Sequence, residues 1–320
     1  MRPLRIVFMG TPEFATASLQ SLIDSKHQVV AVVTVPDKPA GRGLKLTSSP
    51  VKDLALEHQI PVLQPDKLRN PEFIQQLQNL EADLFVVVAF RMLPNEVWTL
   101  PPMGTFNIHA SLLPQYRGAA PIHHAIINGE TETGLTTFLI DKEIDTGKII
   151  LQHKTPIDAN DSTGSLYERL MEMSKPLVIE TIDFLLQPNP SFISQNQLTP
   201  HNQLLKNAPK IFKEMGQLHP ELSCENAHNL VRGLNPFPVA TLNLLSPEKE
   251  VFQLKIFSSH AHIEGQNHSN QIATDGKNFL KFGFSNGWLE IHEMQLQSKK
   301  RMKVDEFLRG FRIDLRWTWV

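Results

Sequence analysis

A chain of 320 residues is longer than the ~100–200 residues of one ordinary core, so two domains are expected. Hydrophobic residues at 41% and charged residues at 20% exclude a disordered chain, and Cys224, the only cysteine, excludes an intrachain disulfide or a cysteine-built metal site. The net charge of −2 says little about partners, but it is unevenly placed: 16 Lys and Arg face 21 Asp and Glu through residue 205, and 15 face 12 beyond it.

The first apolar run, residues 4–9, is stopped by Gly10-Thr11-Pro12-Glu13. It is too short for a signal peptide or a membrane span, so a cytoplasmic chain with no membrane partner is expected. Strand-like runs follow at 29–35, 61–63 and 84–89, separated by helical patterns at 14–25, 51–58 and 71–80. The runs at 29–35 and 84–89 are almost uniformly Val, Ala and Leu, which suits strands covered on both faces. The order βαβαβαβ then gives an α/β, Rossmann-like open and mostly parallel sheet, with its binding edge at the strand C-termini. A further strand is expected at 104–110, and Pro121 suits the first turn of a helix. Two later strands, 134–140 and 148–153, are joined by Asp141-Lys142-Glu143-Ile144-Asp145-Thr146-Gly147. A long amphipathic helix at 165–186, with Asp161 or Ser162 as candidate N-cap, completes the unit.

Gln187-Pro188-Asn189-Pro190-Ser191 breaks that helix and begins a linker. The expected organisation is therefore a first domain at 1–188, a linker at 189–205 and a second domain at 206–320. In the latter a helix at 225–234 and the turn Asn235-Pro236-Phe237-Pro238 precede short strands at 240–244, 252–258, 271–274, 280–282 and 289–297. Short strands separated by turns suggest a small β-barrel, of which the OB type is one candidate. Lys299, Lys300, Arg301, Lys303, Arg309, Arg312 and Arg316 follow, against only Asp305, Glu306 and Asp314. Such a run is either a solvated face or a phosphate-contacting surface.

Asn107 and His109 lie at the end of a strand, two residues apart, so the amide and the imidazole point to the same face. If that strand belongs to the parallel sheet, they share its functional edge. The following Ser111-Leu112-Leu113-Pro114 places two leucines where a polar loop is usual, which is reasonable only if they meet core or an apolar ligand. His123-His124 and His260-x-His262 are close pairs without acidic or cysteine partners at ligand spacing, so no metal is expected. A nicotinamide-binding sheet would need Gly-x-Gly-x-x-Gly after the first strand, where only Gly10 stands.

Asn107-Ile108-His109-Ala110-Ser111-Leu112-Leu113-Pro114 with Arg117-Gly118-Ala119-Ala120-Pro121 resembles the folate-dependent formyltransferases. So do Val7-Phe8-Met9-Gly10-Thr11-Pro12-Glu13-Phe14, Pro39-Ala40-Gly41-Arg42-Gly43 and Asp145-Thr146-Gly147. Asn235-Pro236-Phe237-Pro238 and Lys299-Lys300-Arg301-Met302 extend the likeness, more loosely, to the C-terminal half. The resemblance implies catalysis by Asn107, His109 and Asp145, with folate held by Phe90, Arg91, Met92, Ser111, Leu112, Leu113 and Pro114. It also implies that Phe14 and the Arg42 loop meet the acceptor substrate. One departure is that Ala89-Phe90-Arg91-Met92-Leu93-Pro94 lacks the glycine of the family's Ala-Tyr-Gly and is a residue shorter.

With the basic C-terminal half, the implied reaction is transfer of formyl from 10-formyltetrahydrofolate to the α-amine of methionine on initiator tRNA, by a monomeric enzyme without a metal. The alternative is a small amine, such as glycinamide ribonucleotide or an amino sugar, for which a tRNA-sized appendage is unnecessary. A non-catalytic RNA-binding protein is a third reading, against which the complete Asn107, His109 and Asp145 set speaks. In the implied chemistry Asn107 and His109 donate to the charge growing on the formyl oxygen. Asp145 orients His109 and helps pass on the amine proton.

Overall fold

The computed structural model describes residues 2–40, 45–198, 204–314 and 316–320. They fall into two units, one formed by Met1–Gly118, Glu132–Thr155 and Tyr167–Asn207, the other by Ala119–Thr131, Pro156–Leu166 and Ala208–Val320.

In chain order the first stretch gives β1 (Arg5–Gly10), α1 (Glu13–Ile23), β2 (Gln28–Val33), β3 (Lys38–Ala40), β4 (Lys45–Thr47), α2 (Pro50–Glu57) and β5 (Val62–Leu63). It continues through α3 (Pro71–Asn79), β6 (Leu84–Val88), α4 (Asn95–Trp98), β7 (Thr105–His109), β8 (Arg117–Gly118) and α5 (Pro121–Ile127). Then come β9 (Glu132–Leu139), β10 (Ile149–Pro156), α6 (Thr163–Leu185), α7 (Gln195–Leu198) and β11 (Asn207–Ala208). Helix starts follow local chemistry. Ser49 accepts from the Lys52 N–H ahead of Pro50, and Asn70 from the Glu72 N–H ahead of Pro71. At α6 the Ser165 N–H donates to Ser162 Oγ while the Ser162 N–H donates to Ser165 Oγ, a reciprocal cap that starts the helix at Thr163.

The main sheet has the order β10-β9-β7-β6-β1-β2-β5. β5, β2, β1, β6 and β7 run parallel, and β9 is antiparallel to β7. Every residue of β6 is buried, and alternate residues join different sides: Val7, Met9, Phe85 and Val87 pack with Phe73 and Leu77 of α3, while Ile6, Phe8, Leu84 and Val86 are also fully enclosed. Two covered faces explain the uniform apolarity of these strands. The chain leaves β1 for β2 and β5 on one side and returns to β6 on the other, so the order reverses beside Gly10. A Cβ there would meet Ala15 Cβ at 2.8 Å and the Val88 carbonyl oxygen at 3.1 Å, which restricts the position to glycine. Such a reversal opens a crevice at the strand C-termini, where ligands bind in open α/β sheets.

The second unit holds α8 (Cys224–Gly233), β12 (Ala240–Leu245), β13 (Val251–Ile263), β14 (Ile272–Thr274), β15 (Leu280–Phe284), β16 (Gly287–Leu296), β17 (Met302–Lys303), α9 (Val304–Gly310) and β18 (Thr318–Trp319). Its antiparallel order is β14-β15-β16-β13-β12-β18. The ends of this sheet meet: Asn270, just before β14, donates through its side-chain amide to the Trp319 carbonyl at 2.9 Å. The Trp319 ring packs on Phe282 and Phe284 of β15, at 5.7 and 4.8 Å between centroids. The sheet is therefore a nearly closed six-strand barrel around an apolar core. β13 runs past the expected 252–258, because register shifts at Ile256, Ser258 and Ser259 interrupt its alternation without ending the strand. Helix α9 and strand β18 carry no periodic signal, being short and set among charges.

Candidate active site

Asn107 and His109 stand at the C-terminal end of β7. Asn107 pairs in register with Val87 of β6 and Phe138 of β9, and His109 with Thr136. Asn107 is half-buried and its side-chain amide has no hydrogen-bond partner among the described residues. An amide with two donors and no protein acceptor at the C-terminal end of a sheet strand is free for a ligand.

His109 is 6% exposed. Its Nε2 lies 2.8 Å from the Tyr116 carbonyl oxygen, which can only accept, so in the assigned tautomer Nε2 carries the proton. The other ring nitrogen, Nδ1, faces Asp145 Oδ2 at 3.8 Å, with both side chains largely enclosed. In the neutral ring Nδ1 is thus the basic position. Once protonated, it becomes a donor whose charge Asp145 offsets. Asp145 Oδ2 also accepts from the Gly118 N–H at 2.9 Å, which ties the carboxylate to the Arg117-Gly118 segment. The Asp145 backbone has φ of 55°, the left-handed region that Asp tolerates better than most residues yet still pays strain to occupy.

The Ser111–Pro114 loop is built from below. Ser111 is fully buried and donates to the Gln115 carbonyl at 2.7 Å; Thr136 Oγ1 donates to the Ser111 carbonyl at 2.6 Å and accepts from the Leu113 N–H at 3.1 Å. Gln152 Nε2 donates to the Leu113 carbonyl at 2.8 Å. Leu113 packs with Phe138 and Ile149, and Pro114 is buried, whereas Leu112 is half-buried. The two leucines thus divide, one closing the core and one remaining partly open.

Beyond β6, Ala89 sits at φ 48° where the resembled family carries its Ala-Tyr-Gly. Phe90 packs on the apolar cluster of Val7, Met9, Phe85 and Val87, against which Ile140 also packs. The Arg91 guanidinium donates to the carbonyls of Asp66, at 3.0 Å, and Pro65 and lies over the Phe90 ring, while burial lowers its pKa. Arg91 therefore braces the segment. Met92 is 73% exposed. Phe14 is buried in the first turn of α1, edge-on to Tyr167 at 5.3 Å, whose hydroxyl accepts from the Phe14 N–H at 2.7 Å. Arg42 lies outside the described residues, between the antiparallel strands β3 and β4.

Sequence reasoning missed Gln195, 2% exposed, which hydrogen-bonds the Asp145 turn and Arg117. A glutamine in a polar stretch carries no signal of this. Among the described residues no group of three or more potential metal ligands occurs, although Glu290, opposite on β16, reaches His262 at 2.7 Å. Among the described residues no helix is long and apolar enough to cross a membrane.

In the second unit the basic run is partly neutralised: Arg301 pairs with Glu293, Arg309 with Asp305 and Arg316 with Asp314. Lys299, Lys300, Lys303 and Arg312 are exposed and form no ion pair among the described residues.

A family model described as Formyl transferase matches residues 4–182, and one described as Formyl transferase, C-terminal domain, matches residues 210–312. The chain belongs to the formyl transferase family. Relatives named methionyl-tRNA formyltransferase include that of Bacteroides fragilis, 49% identical over 97% of this chain and 96% of its own length. That of Bacteroides thetaiotaomicron is 48% identical with the same coverage, and that of Flavobacterium johnsoniae 43% identical over 97% of each chain. Among solved structures, a sugar 3N-formyl transferase in the presence of dTDP and 5-N-formyl-THF superimposes with TM-score 0.64 at 22% identity, covering 93% of this chain and 99% of that one. An N-formyltransferase from Helicobacter canadensis gives TM-score 0.63 at 20% identity, over 93% and 100%. At these identities this formyl transferase shares a fold with them, and the likeness carries no more.

Proposed function

We propose that this formyl transferase moves the formyl group of 10-formyltetrahydrofolate to the α-amino group of methionine on initiator tRNA, for translation initiation. The observation that carries the chemistry is the meeting of three groups at the end of β7: the unpartnered Asn107 amide, the His109 imidazole and the Asp145 carboxylate, 3.8 Å from the ring. The acceptor is inferred from relatives at 43–49% identity over nearly the whole chain.

The site suits a flat, partly apolar heterocycle. Phe90 and Ile140 are partly buried against one apolar cluster, Leu112 is partly open, and the Asn107 amide offers polar contact. Phe90, Arg91, Met92 and the Ser111–Pro114 loop are assigned to hold the folate, with Arg91 acting as the brace. The folate supplies an activated formyl carbon. Asn107 donates to the oxygen of that group as the methionyl amine attacks and negative charge grows there; an amide placed before the reaction stabilises that charge without reorganising. With Nε2 committed to the Tyr116 carbonyl, His109 is not the donor to the formyl oxygen that the resemblance implied; its Nδ1 instead accepts the proton that the amine must lose, and Asp145 offsets the positive charge on the ring. The same proton is then available to the departing folate nitrogen. Phe14 and Arg42 are assigned to the methionyl-tRNA end, residues 1–188 to catalysis, 189–205 to a linker and 206–320 to tRNA contact, in a monomeric cytoplasmic enzyme without a metal.

The test is a formylation assay with 10-formyltetrahydrofolate and charged initiator tRNA beside free methionine and glycinamide ribonucleotide. Formyl-methionyl-tRNA should form at least about 100-fold faster than either small-amine product, the scale of one transition-state contact set. Faster formylation of glycinamide ribonucleotide would overturn the acceptor.

A further inference from the structure

Gln195 is almost wholly buried in a segment that the sequence marks as linker. Two residues before it, Ile193 exchanges both backbone hydrogen bonds with Ile149 at the start of β10, at 2.9 and 3.0 Å. This isolated bridge pins the segment to β10 and delivers Gln195, the first residue of α7, to the Asp141–Gly147 turn. There Gln195 Nε2 donates to the carbonyl oxygens of Asp145 and Gly147, each at 2.9 Å. Its Oε1 accepts from Arg117 Nε at 3.0 Å and Nη2 at 2.6 Å. Both amide hydrogens and the carbonyl of one side chain are thus engaged.

These contacts close on Asp145 from two directions. One side of Gln195 grips the Asp145 backbone, which is strained at φ 55°. The other grips Arg117, whose neighbour Gly118 holds Asp145 Oδ2 at 2.9 Å. A ring of hydrogen bonds therefore runs from the Asp145 carboxylate through Gly118, Arg117 and Gln195 back to the Asp145 carbonyl. Strained backbone persists only where its surroundings over-determine it. The turn at Gly147 is also tight, since a Cβ there would fall 1.6 Å from the Leu139 carbonyl oxygen. Beside the ring lies an open pocket of about 360 Å³ whose lining includes Arg117, Asp141, Thr146, Ser194 and Gln195.

We propose that Gln195 is a positioning residue for formyl transfer, acting through Asp145 by fixing both the turn and the Arg117-Gly118 segment so that the carboxylate faces His109. The inference rests on the catalytic role proposed for Asp145. A merely structural glutamine would tie down the linker and affect folding or substrate affinity, whereas a positioning one lowers turnover and does so only while Asp145 is present.

The experiment measures kcat and KM for 10-formyltetrahydrofolate and methionyl-tRNA in the wild type, Gln195→Met, Gln195→Glu, Asp145→Asn and the Gln195→Met/Asp145→Asn double variant, with thermal melts alongside. Gln195→Met removes the hydrogen bonds to Asp145, Gly147 and Arg117; Gln195→Glu keeps the Arg117 acceptor but turns oxygen toward the two carbonyls. Both should lower kcat about 10- to 100-fold, the cost of a catalytic group misplaced by an ångström or less, with KM changed by less than about threefold. In the Asp145→Asn background Gln195→Met should cost less than about twofold more, since residues acting as a unit are not additive. An equal factor in both backgrounds, wild-type kcat in the Gln195 variants, or loss of the fold in both would overturn the proposal. Wild-type turnover in Asp145→Asn would sink the role of Asp145 itself, and this proposal with it. A slow Asp145→Asn beside normal Gln195 variants would sink the Gln195 proposal alone.

Discussion

Replacing Asp145 by Asn removes one charge and little else. Asn tolerates the left-handed backbone that φ 55° requires, and its side-chain oxygen can still accept from the Gly118 N–H, so the fold should survive. What disappears is a carboxylate 3.8 Å from His109 Nδ1, in a pair whose side chains are 7% and 15% exposed. At an effective dielectric constant of about 20, unit charges at that separation attract by about 4 kcal/mol. The amide dipole of Asn recovers about 1 kcal/mol of it, on the scale of an ordinary hydrogen bond. The remainder, about 3 kcal/mol, corresponds to a fall in turnover of about 100-fold under the proposed mechanism, in which the ring gains its charge from the attacking amine. Ground-state binding does not involve that charge, so folate affinity should change by less than about threefold. Single-turnover formylation of methionyl-tRNA and equilibrium titration with the folate separate the two quantities. Turnover within about threefold of wild type across the pH range would refute the reasoning and leave Asp145 as a turn residue.

His109→Ala and Asn107→Ala should each lower kcat by about 100-fold or more with the fold retained, as the first removes the proposed proton acceptor and the second the proposed donor to the formyl oxygen; wild-type rates in either variant would remove it from the mechanism. Trp319→Ala should destabilise the barrel by about 3–5 kcal/mol, because a fully buried ring packed on Phe282 and Phe284 leaves a cavity, and urea unfolding followed by intrinsic fluorescence measures it. Replacing Lys299, Lys300 and Lys303 with Ala should reduce the slope of log affinity for tRNA against log salt by about one for each phosphate left without its lysine, while Arg301→Ala, already paired with Glu293, should do less. An unchanged slope marks the run as a solvated face. Burial lowers the pKa of His123 and His228 below the ordinary 6.5, so the unfolded chain binds more protons. Their contribution to stability is then complete above pH 6.5 and lost as pH falls from 6.5 through the lowered values. His228→Gln should flatten that window in urea midpoints measured between about pH 7 and 5; an equally steep dependence would exclude it.

Much of this protein is legible in its sequence because the signals are local. The uniform apolarity of β2 and β6 follows from burial on both faces, and the Ser162 and Pro71 helix starts follow from capping chemistry within four residues. The two-residue spacing of Asn107 and His109 forces them onto one face of β7 whatever surrounds it. Tertiary structure decided the rest. That Nδ1 rather than Nε2 of His109 is the basic nitrogen depends on the Tyr116 carbonyl, and the strand that closes the barrel is two residues at the far end of the chain. Gln195 meets Asp145 fifty residues away only because Ile193 bridges to Ile149 of β10. Contacts of this kind have no period and no preferred spacing, since they are fixed by which surfaces the folded chain brings together and not by the geometry of any one element.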